Sequence, residues 1–475
     1  MTSDEGALPG GALTALLAAQ RRAFAARPPR YADRLDALRR LERALIARAD
    51  DLAAAVSEDF GGRAAEETRA LEIVPTLNEI RYARRHLKTW MAPRRAASQW
   101  QSWPAKARVV YQPLGVVGIV SPWNYPFYLT LAPLIGALAA GNHALIKPSE
   151  LAPASAELMT SIVAGLYAPE YVSVVTGGSD TAAAFVALPF DHLLFTGSTR
   201  VGRRVMQAAS EHLVPVTLEL GGKSAVIVHG SYPMKRAAER VLTGKLYNAG
   251  QTCIAPDYAL LPRDRRAEFV SHARAAVAQM YPRLVDNPDY TRVVNAHHYQ
   301  RLTNLVEDAR RLGAEIITIN PASEMCDVAN RVFAPTIVIG VRDEMAIAHE
   351  EIFGPILAIA DYGDLDEAIA YVNGRPHPLA FYYFDDQPAR VTDVVGRVTS
   401  GGVTVNDCVF HVGQPALPFG GVGASGMGRY HGFDGFETFS HKKGIMLQRR
   451  WSPLALLRPP YDATTRRILA LLLRD

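Results

Sequence analysis

Between residues 116 and 228, short aliphatic and β-branched runs recur at intervals that mostly leave room for a helix between them. Val116-Val117-Gly118-Ile119, Ala144-Leu145-Ile146, Val172-Ser173-Val174-Val175, His192-Leu193-Leu194-Phe195, Val216-Thr217-Leu218 and Ala225-Val226-Ile227-Val228 read as strands. Residues 152–166 and 200–209 between them carry helical spacing. Strand-helix alternation predicts a parallel sheet covered by helices on both faces, since each parallel crossover needs a dozen or more residues. The alternation starts again from about residue 230 to 406, with helices over 236–249, 267–280 and 365–373, which predicts a second α/β unit.

The flanks read differently. Leu35, Leu38, Leu41, Leu45 and Ile46 recur at helix spacing, and a second helical pattern over 71–90 contains Pro75, expected to kink or interrupt it. Residues 31–90 are thus expected to be two helices. Residues 94–112 are polar with Trp100, Trp103 and Tyr111 interspersed and suggest a hairpin excursion, while residues 407–451 are rich in glycine and aromatics.

Composition removes several function classes. The 51 basic and 47 acidic residues leave a net charge of +4 with no run of one sign, so nucleic acid and anionic membranes are poor default partners. The three cysteines (Cys253, Cys326 and Cys408) form no C-x-x-C pair, which argues against a disulfide framework and for a reducing, cytoplasmic setting. The apolar stretch at 12–19 has no basic segment before it, so a signal peptide is not expected. The apolar stretches at 127–141 and 468–473 fall short of the about 18–20 residues that span a bilayer, so no integral membrane anchor is expected. Residues 464–474 suggest a short amphipathic helix on the protein's own surface. No metal site is expected: His297 and His298 diverge on a helix, and no H-E-x-x-H occurs.

Seven residues at five places stand out chemically. Cys253 follows Asn248-Ala249-Gly250-Gln251-Thr252, small and polar neighbours on an expected tight turn. It reads either as a structural cysteine or as a thiolate nucleophile for a carbonyl. Glu219 interrupts an apolar strand just before Gly221-Gly222-Lys223, and is either ion-paired or kept for chemistry. Asn124 lies between Pro122 and Pro126 and is either an Asx-turn residue or an oxyanion donor. Lys147 and Glu150 close a strand at the carboxyl end, where ligands bind in such sheets, or are solvated loop charges. Gly197 and Gly202 bracket a strand-helix turn that lacks G-x-G-x-x-G spacing, and the turn either cradles a phosphate or holds nothing.

Seven segments taken in order resemble the aldehyde dehydrogenase superfamily over nearly the whole chain. They are Pro122-Trp123-Asn124-Tyr125-Pro126, Lys147-Pro148-Ser149-Glu150, residues 195–202, Glu219-Leu220-Gly221-Gly222-Lys223, Gly250-Gln251-Thr252-Cys253, Glu350-Glu351-Ile352-Phe353-Gly354-Pro355 and Pro418-Phe419-Gly420-Gly421-Val422-Gly423. The phrase Cys253-Ile254-Ala255-Pro256-Asp257-Tyr258 and the ending Ser425-Gly426-Met427-Gly428-Arg429-Tyr430-His431-Gly432 look like the class 3 branch. Residues 174–178 and 188–195 are similar to bacterial coniferyl aldehyde dehydrogenases.

The resemblance implies an α/β fold with three parts. A Rossmann-like parallel-sheet cofactor domain would take residues 1–92 and 114–220, and a second α/β catalytic domain residues 221–406. A small bridging β arm (93–113 and 407–445) would build a homodimer, and 446–475 would be a tail. It also implies that Cys253 attacks an aldehyde, that Asn124 and the Cys253 amide hold the oxyanion, and that Glu219 activates water. Trp123, Lys147, Glu150, Gly197, Ser198, Gly202, Glu351 and Phe353 would bind the cofactor, NAD with NADP possible. Aryl or cinnamyl aldehydes are the expected substrates, with Tyr125 and Phe127 either lining the pocket or in the core, and medium-chain aliphatic aldehydes are the alternative. The competing readings are a coenzyme A-acylating dehydrogenase, against which Glu219 argues, and a catalytically silent binding protein on the same fold.

Overall fold

The computed structural model describes residues 10–99, 102–452 and 458–473. Trp100, residues 1–6 and Arg474, used in the sequence reading, lie outside the described residues. Two largely parallel sheets organise the chain. The first has six strands in the spatial order Gly426–Met427, Val216–Leu220, His192–Gly197, Val116–Val120, His143–Lys147 and Val172–Val174. Only the two-residue Gly426–Met427 strand runs antiparallel. The second has seven, in the order Glu315–Thr318, Thr336–Ile339, Ile356–Tyr362, Tyr258–Pro262, Ala225–Val228, Ala380–Phe384 and Gly402–Val405. It is parallel apart from its Glu315–Thr318 edge. Val116–Val120 and Ala225–Val228 are buried at every position, which is why these runs do not alternate with polar residues.

The strand at Ala225–Val228 corrects the first alternation: it belongs to the second sheet. Four residues, Gly221-Gly222-Lys223-Ser224, separate it from Val216–Leu220, so the chain passes between sheets right after Glu219. That crossing places the carboxylate in the cleft between the two sheets.

Residues 31–90 are not two helices. They form Tyr31–Ala47, Ala49–Phe60, Ala65–Thr68, a π turn at Arg69–Ile73 and Val74–Trp90. The regular helix is interrupted just before Pro75 by the wider π turn, so Pro75 sits in the first turn of Val74–Trp90, where a missing N–H is tolerated, rather than at a mid-helix kink. Ile46 is 52% exposed and leaves the apolar stripe that Leu38, Leu41 and Leu45 form. The apolar stretch at 127–141 is the Tyr128–Ala140 helix, buried at all 13 positions.

The hairpin is present: Arg94–Ala96 pairs with Lys106–Pro113, and Ser440–Leu447 adds a third antiparallel strand. Residues 407–445 do not all go there. Gly426–Met427 joins the first sheet, and the Gly432–Thr438 helix packs on Tyr128–Ala140 and Val74–Trp90. The last helix, Ala463–Leu472, buries only Thr465, while Leu469 and Leu471 stay 40% and 65% exposed. Thr465, with the partly buried Ile468 and Leu472 on the same face, rests the helix on the protein's own surface, while Leu469 and Leu471 face outward. Among the described residues no helix is long and apolar enough to cross a membrane.

Candidate active site

The Met234–Leu246 helix ends in a 3₁₀ turn, Tyr247–Gly250, where Asn248, Ala249 and Gly250 all take positive φ (53°, 50° and 74°). Two non-glycine residues in this region store strain that the surroundings must hold. Gly250 is required, since a Cβ there would lie 2.1 Å from the Gly354 carbonyl oxygen. The turn delivers Cys253, partly buried, into the cleft. Burial first, then the carboxylates of Glu351 and Glu219, push its thiol up to about 12.

Glu219 is the penultimate residue of its strand and 3% exposed, and neither carboxylate oxygen has a hydrogen-bond partner. Burial holds its carboxyl well above the usual range. The ion-pair alternative is thereby removed, and an unpartnered buried carboxylate is costly enough to call for a use. Glu219, Cys253 and Asn124, distant in sequence, line one cavity of about 250 Å³. Asn124 is 3% exposed, and its Nδ2 donates to the Gln251 carbonyl at 3.1 Å. The side chain thus reaches across to the nucleophile loop, leaving one amide hydrogen for a ligand.

Trp123, Gly197, Ser198, Glu351 and Phe353 line the same cavity. Phe353 has φ 49°, and its ring meets Trp123 edge-on with centroids 5.4 Å apart. The loop carrying Glu351 and Phe353 is clamped from the Gly-Gly-Lys motif. Lys223 pairs with Asp257 and donates to the carbonyls of Ile347 and Glu350 at 2.9 Å each, while Asp257 accepts from the Ile352 amide at 2.8 Å. Burial, then Asp257, raises the Glu351 carboxyl to about 8.

Three expected positions lie elsewhere. Lys147, Glu150 and Gly202 do not line the cavity around Cys253. Lys147 is 1% exposed, donates to the Pro148 carbonyl at 2.7 Å and stands 3.5 Å from Glu150. Both remain at the carboxyl edge of the first sheet, as does Ser198, whose Oγ caps the Thr199–Ser210 helix through the Val201 amide at 3.4 Å. Gly202 serves packing: a Cβ there would come within 2.6 Å of Leu220 Cδ2.

A second cavity, of about 210 Å³ and largely apolar, reaches Cys253 beside residues such as Leu71, Val74, Tyr125, Phe410 and Val412. Cys253, Leu129 and Phe419 line both cavities. Tyr125 is in this wall, its hydroxyl 2.7 Å from Thr252 Oγ1. Phe127 is not: it is 1% exposed in the core, and its amide donates to Glu72. The sequence reading missed His298, Arg301, Tyr430 and Phe410. His298 and Arg301 sit three apart on one face of the Ala296–Arg311 helix, a legible spacing. Tyr430 falls inside the 425–432 segment that looks like the class 3 branch, and nothing local marks Phe410.

The first cavity suits a ribose- and phosphate-bearing cofactor. Its wall holds unpartnered buried oxygens, Glu351 Oε1 and Thr196 Oγ1, beside the Ser198-capped N-terminus of a 12-residue helix.

Residues 12–445 match the model of the aldehyde dehydrogenase family. The chain is 47% identical over 458 residues to a protein of Pseudomonas aeruginosa named a probable coniferyl aldehyde dehydrogenase, covering 96% of this chain and 95% of that one. Among solved structures, the substrate-bound state of Staphylococcus aureus AldH superposes with a TM-score of 0.90 at 39% identity, covering 96% of this chain and 99% of that one. A Mycobacterium tuberculosis aldehyde dehydrogenase complexed with NAD+ gives a TM-score of 0.84 at 27% identity, with 93% and 91% covered. The chain belongs to the aldehyde dehydrogenase family and is an oxidoreductase that uses NAD(P) to oxidise aldehydes.

Proposed function

We propose that the protein oxidises an aryl or cinnamyl aldehyde, of the coniferyl type, to its acid with NAD, through a thioester on Cys253. The observation that carries this reading is the position of Cys253 where a cavity with free carboxylates meets an apolar one. The aldehyde enters from the apolar side, where the rings of Tyr125, Phe410 and Phe419 suit a flat substrate.

The Cys253 sulfur adds to the carbonyl carbon, and the remaining Asn124 amide hydrogen and the Cys253 N–H take the oxyanion. The thiol must lose its proton on attack, and in a cavity that disfavours the thiolate this loss is part of the cost of the step. NAD(P)+, when bound, supplies the hydride acceptor that converts the thiohemiacetal to a thioester. Glu219 then takes a proton from water, which attacks the thioester, releases the acid and restores the thiol. A free carboxylate in this place favours water over coenzyme A as acyl acceptor.

Glu351, Trp123, Phe353, Gly197 and Ser198 hold the cofactor from the cavity wall, and Lys147 and Glu150 from the sheet edge, with Gly202 supporting the phosphate turn through its helix. Glu150, 48% exposed, would repel a 2′-phosphate, which favours NAD over NADP. Residues 1–92 with 114–220 form the cofactor unit and 221–406 the catalytic unit. The three-stranded arm, whose Ser440–Leu447 edge is largely exposed, is suited to join two copies as a homodimer. Three free cysteines suit a reducing cytoplasm.

The test is NADH formation across a panel of aldehydes with each coenzyme, for wild type and Cys253→Ala. We expect the highest kcat/KM for cinnamyl and aryl aldehydes with NAD, and no turnover in the variant. Preference for medium-chain aldehydes refutes the substrate class, and turnover by Cys253→Ala refutes the nucleophile.

A further inference from the structure

Behind the active-site loops lies a buried charged cluster that the chemistry above does not use. Arg63 follows the turn that ends the Ala49–Phe60 helix, and its side chain is fully buried. Its Nη1 donates to Glu72 Oε1 at 3.0 Å and to the Asn124 carbonyl at 3.4 Å. Its Nε stands 3.5 Å from Glu67 Oε1, and its guanidinium lies 4.8 Å from the Tyr125 ring centroid. Glu72, in the π turn, accepts from the amides of Phe127 and Tyr128 at 2.8 and 3.2 Å. Glu67 accepts from the Asn248 amide at 2.5 Å. Asn248 completes the circuit, its Nδ2 donating to the Asn124 carbonyl at 2.9 Å and the Gln251 carbonyl at 3.1 Å.

One cation and two carboxylates therefore grip two loops at once: the loop that carries Asn124 and the strained turn that leads to Cys253. Such a cluster is a poor way to gain stability. Three buried charges lose their hydration, and apolar packing of similar volume usually serves a fold as well or better. Its distinctive product is geometric. The Asn124 carbonyl is held by two donors from opposite loops, and the left-handed backbone at Asn248 is held through both its amide and its side chain. The π turn contributes by inserting a residue, which turns Glu72 inward by about 100° relative to a regular helix.

We propose that Arg63, Glu67 and Glu72 are positioning residues that fix the Asn124 amide against the Cys253 sulfur, so that the oxyanion donor is in place before the aldehyde arrives. This rests on the reading of Asn124 as that donor. A donor displaced by even 1 Å loses much of its effect on the transition state and little of its effect on cofactor binding.

The experiment is a double-mutant cycle on the full-length enzyme with NAD and a cinnamyl aldehyde. The single-turnover rate of NADH formation is measured for wild type, Glu72→Gln, Asn124→Ala and the double variant, with NAD affinity from tryptophan fluorescence. Glu72→Gln should slow acylation about tenfold in the wild-type background and less than about twofold when Asn124 is already absent, with NAD affinity unchanged. Equal losses in both backgrounds, or no loss from Glu72→Gln, overturn the proposal. If Glu72→Gln does not fold, Arg63→Lys goes through the same cycle. If neither variant folds, the cluster supports the fold alone and the proposal falls. Turnover by Cys253→Ala would instead sink the underlying reading, so the two failures are distinguishable.

Discussion

The two cavities that meet at Cys253 are both walled mainly by apolar surface and differ in the charged groups they hold. The cofactor-side cavity carries Glu219 and Glu351, buried carboxylates with oxygens left free of hydrogen bonds. The other is walled largely by apolar side chains, with the Tyr125 hydroxyl already tied to Thr252. On the proposed reading, the first cavity keeps costly unpaired carboxylates because they meet a cofactor and a water. The apolar one needs only shape and dryness. On the proposed reading, chemistry is concentrated on one side of the sulfur and selectivity on the other.

Removing the base should separate the two sides most sharply. Glu219→Gln is expected to keep a rapid burst of NADH while steady-state turnover falls about 10²–10⁴-fold. Loss of burst and turnover together would mean that Glu219 acts before the thioester forms. The pH dependence has a definite sign. Glu219 must be ionised to accept a proton, and burial raises its carboxyl, so deacylation should speed up as pH rises through that raised value.

The free enzyme offers a second test. With the Cys253 thiol pushed up to about 12 by burial, then Glu351 and Glu219, the thiolate fraction climbs with pH throughout the neutral and mildly alkaline range. Alkylation by iodoacetamide should therefore rise about tenfold per pH unit from roughly pH 7 to 10. A plateau by pH 8 would show that burial and the two carboxylates do not hold the thiol up.

The smallest effect belongs to the apolar side. Phe410, 49% exposed, contributes a ring to that wall. Phe410→Ala should lower kcat/KM for aryl aldehydes about 5–20-fold and leave acetaldehyde within about twofold. Equal losses for both substrates would mean that the wall positions Cys253 rather than the substrate.

The same contrast explains what was legible in the chain. The first cavity is made of residues at strand ends and tight turns: Asn124 after Val116–Val120, Ser198 after His192–Gly197, Glu219 before Gly221, and Cys253 after Gly250. Each has a local reason to look unusual: the carboxyl edge of the first sheet gathers Asn124, Ser198 and Glu219, and the turn ahead of Tyr258–Pro262 brings Cys253 to them. Phe410, Val412 and Leu71 look like any other apolar residues, and only packing makes them one wall. Phe127 shows the limit: two residues from Tyr125, it faces the core.

By itself the sequence determined the alternation of strands and helices, the hairpin arm and which residues stand out as candidates for chemistry. Local periodicity and turn geometry are properties of neighbouring residues, so they can be read in a line. Tertiary structure alone decided that a π turn breaks the helical pattern just before Pro75, that Gly202 lies against Leu220, and that Arg63 and Asn248 meet at the Asn124 carbonyl. These depend on contacts between segments tens to hundreds of residues apart, where burial and pairing are settled by the whole fold and not by any local pattern.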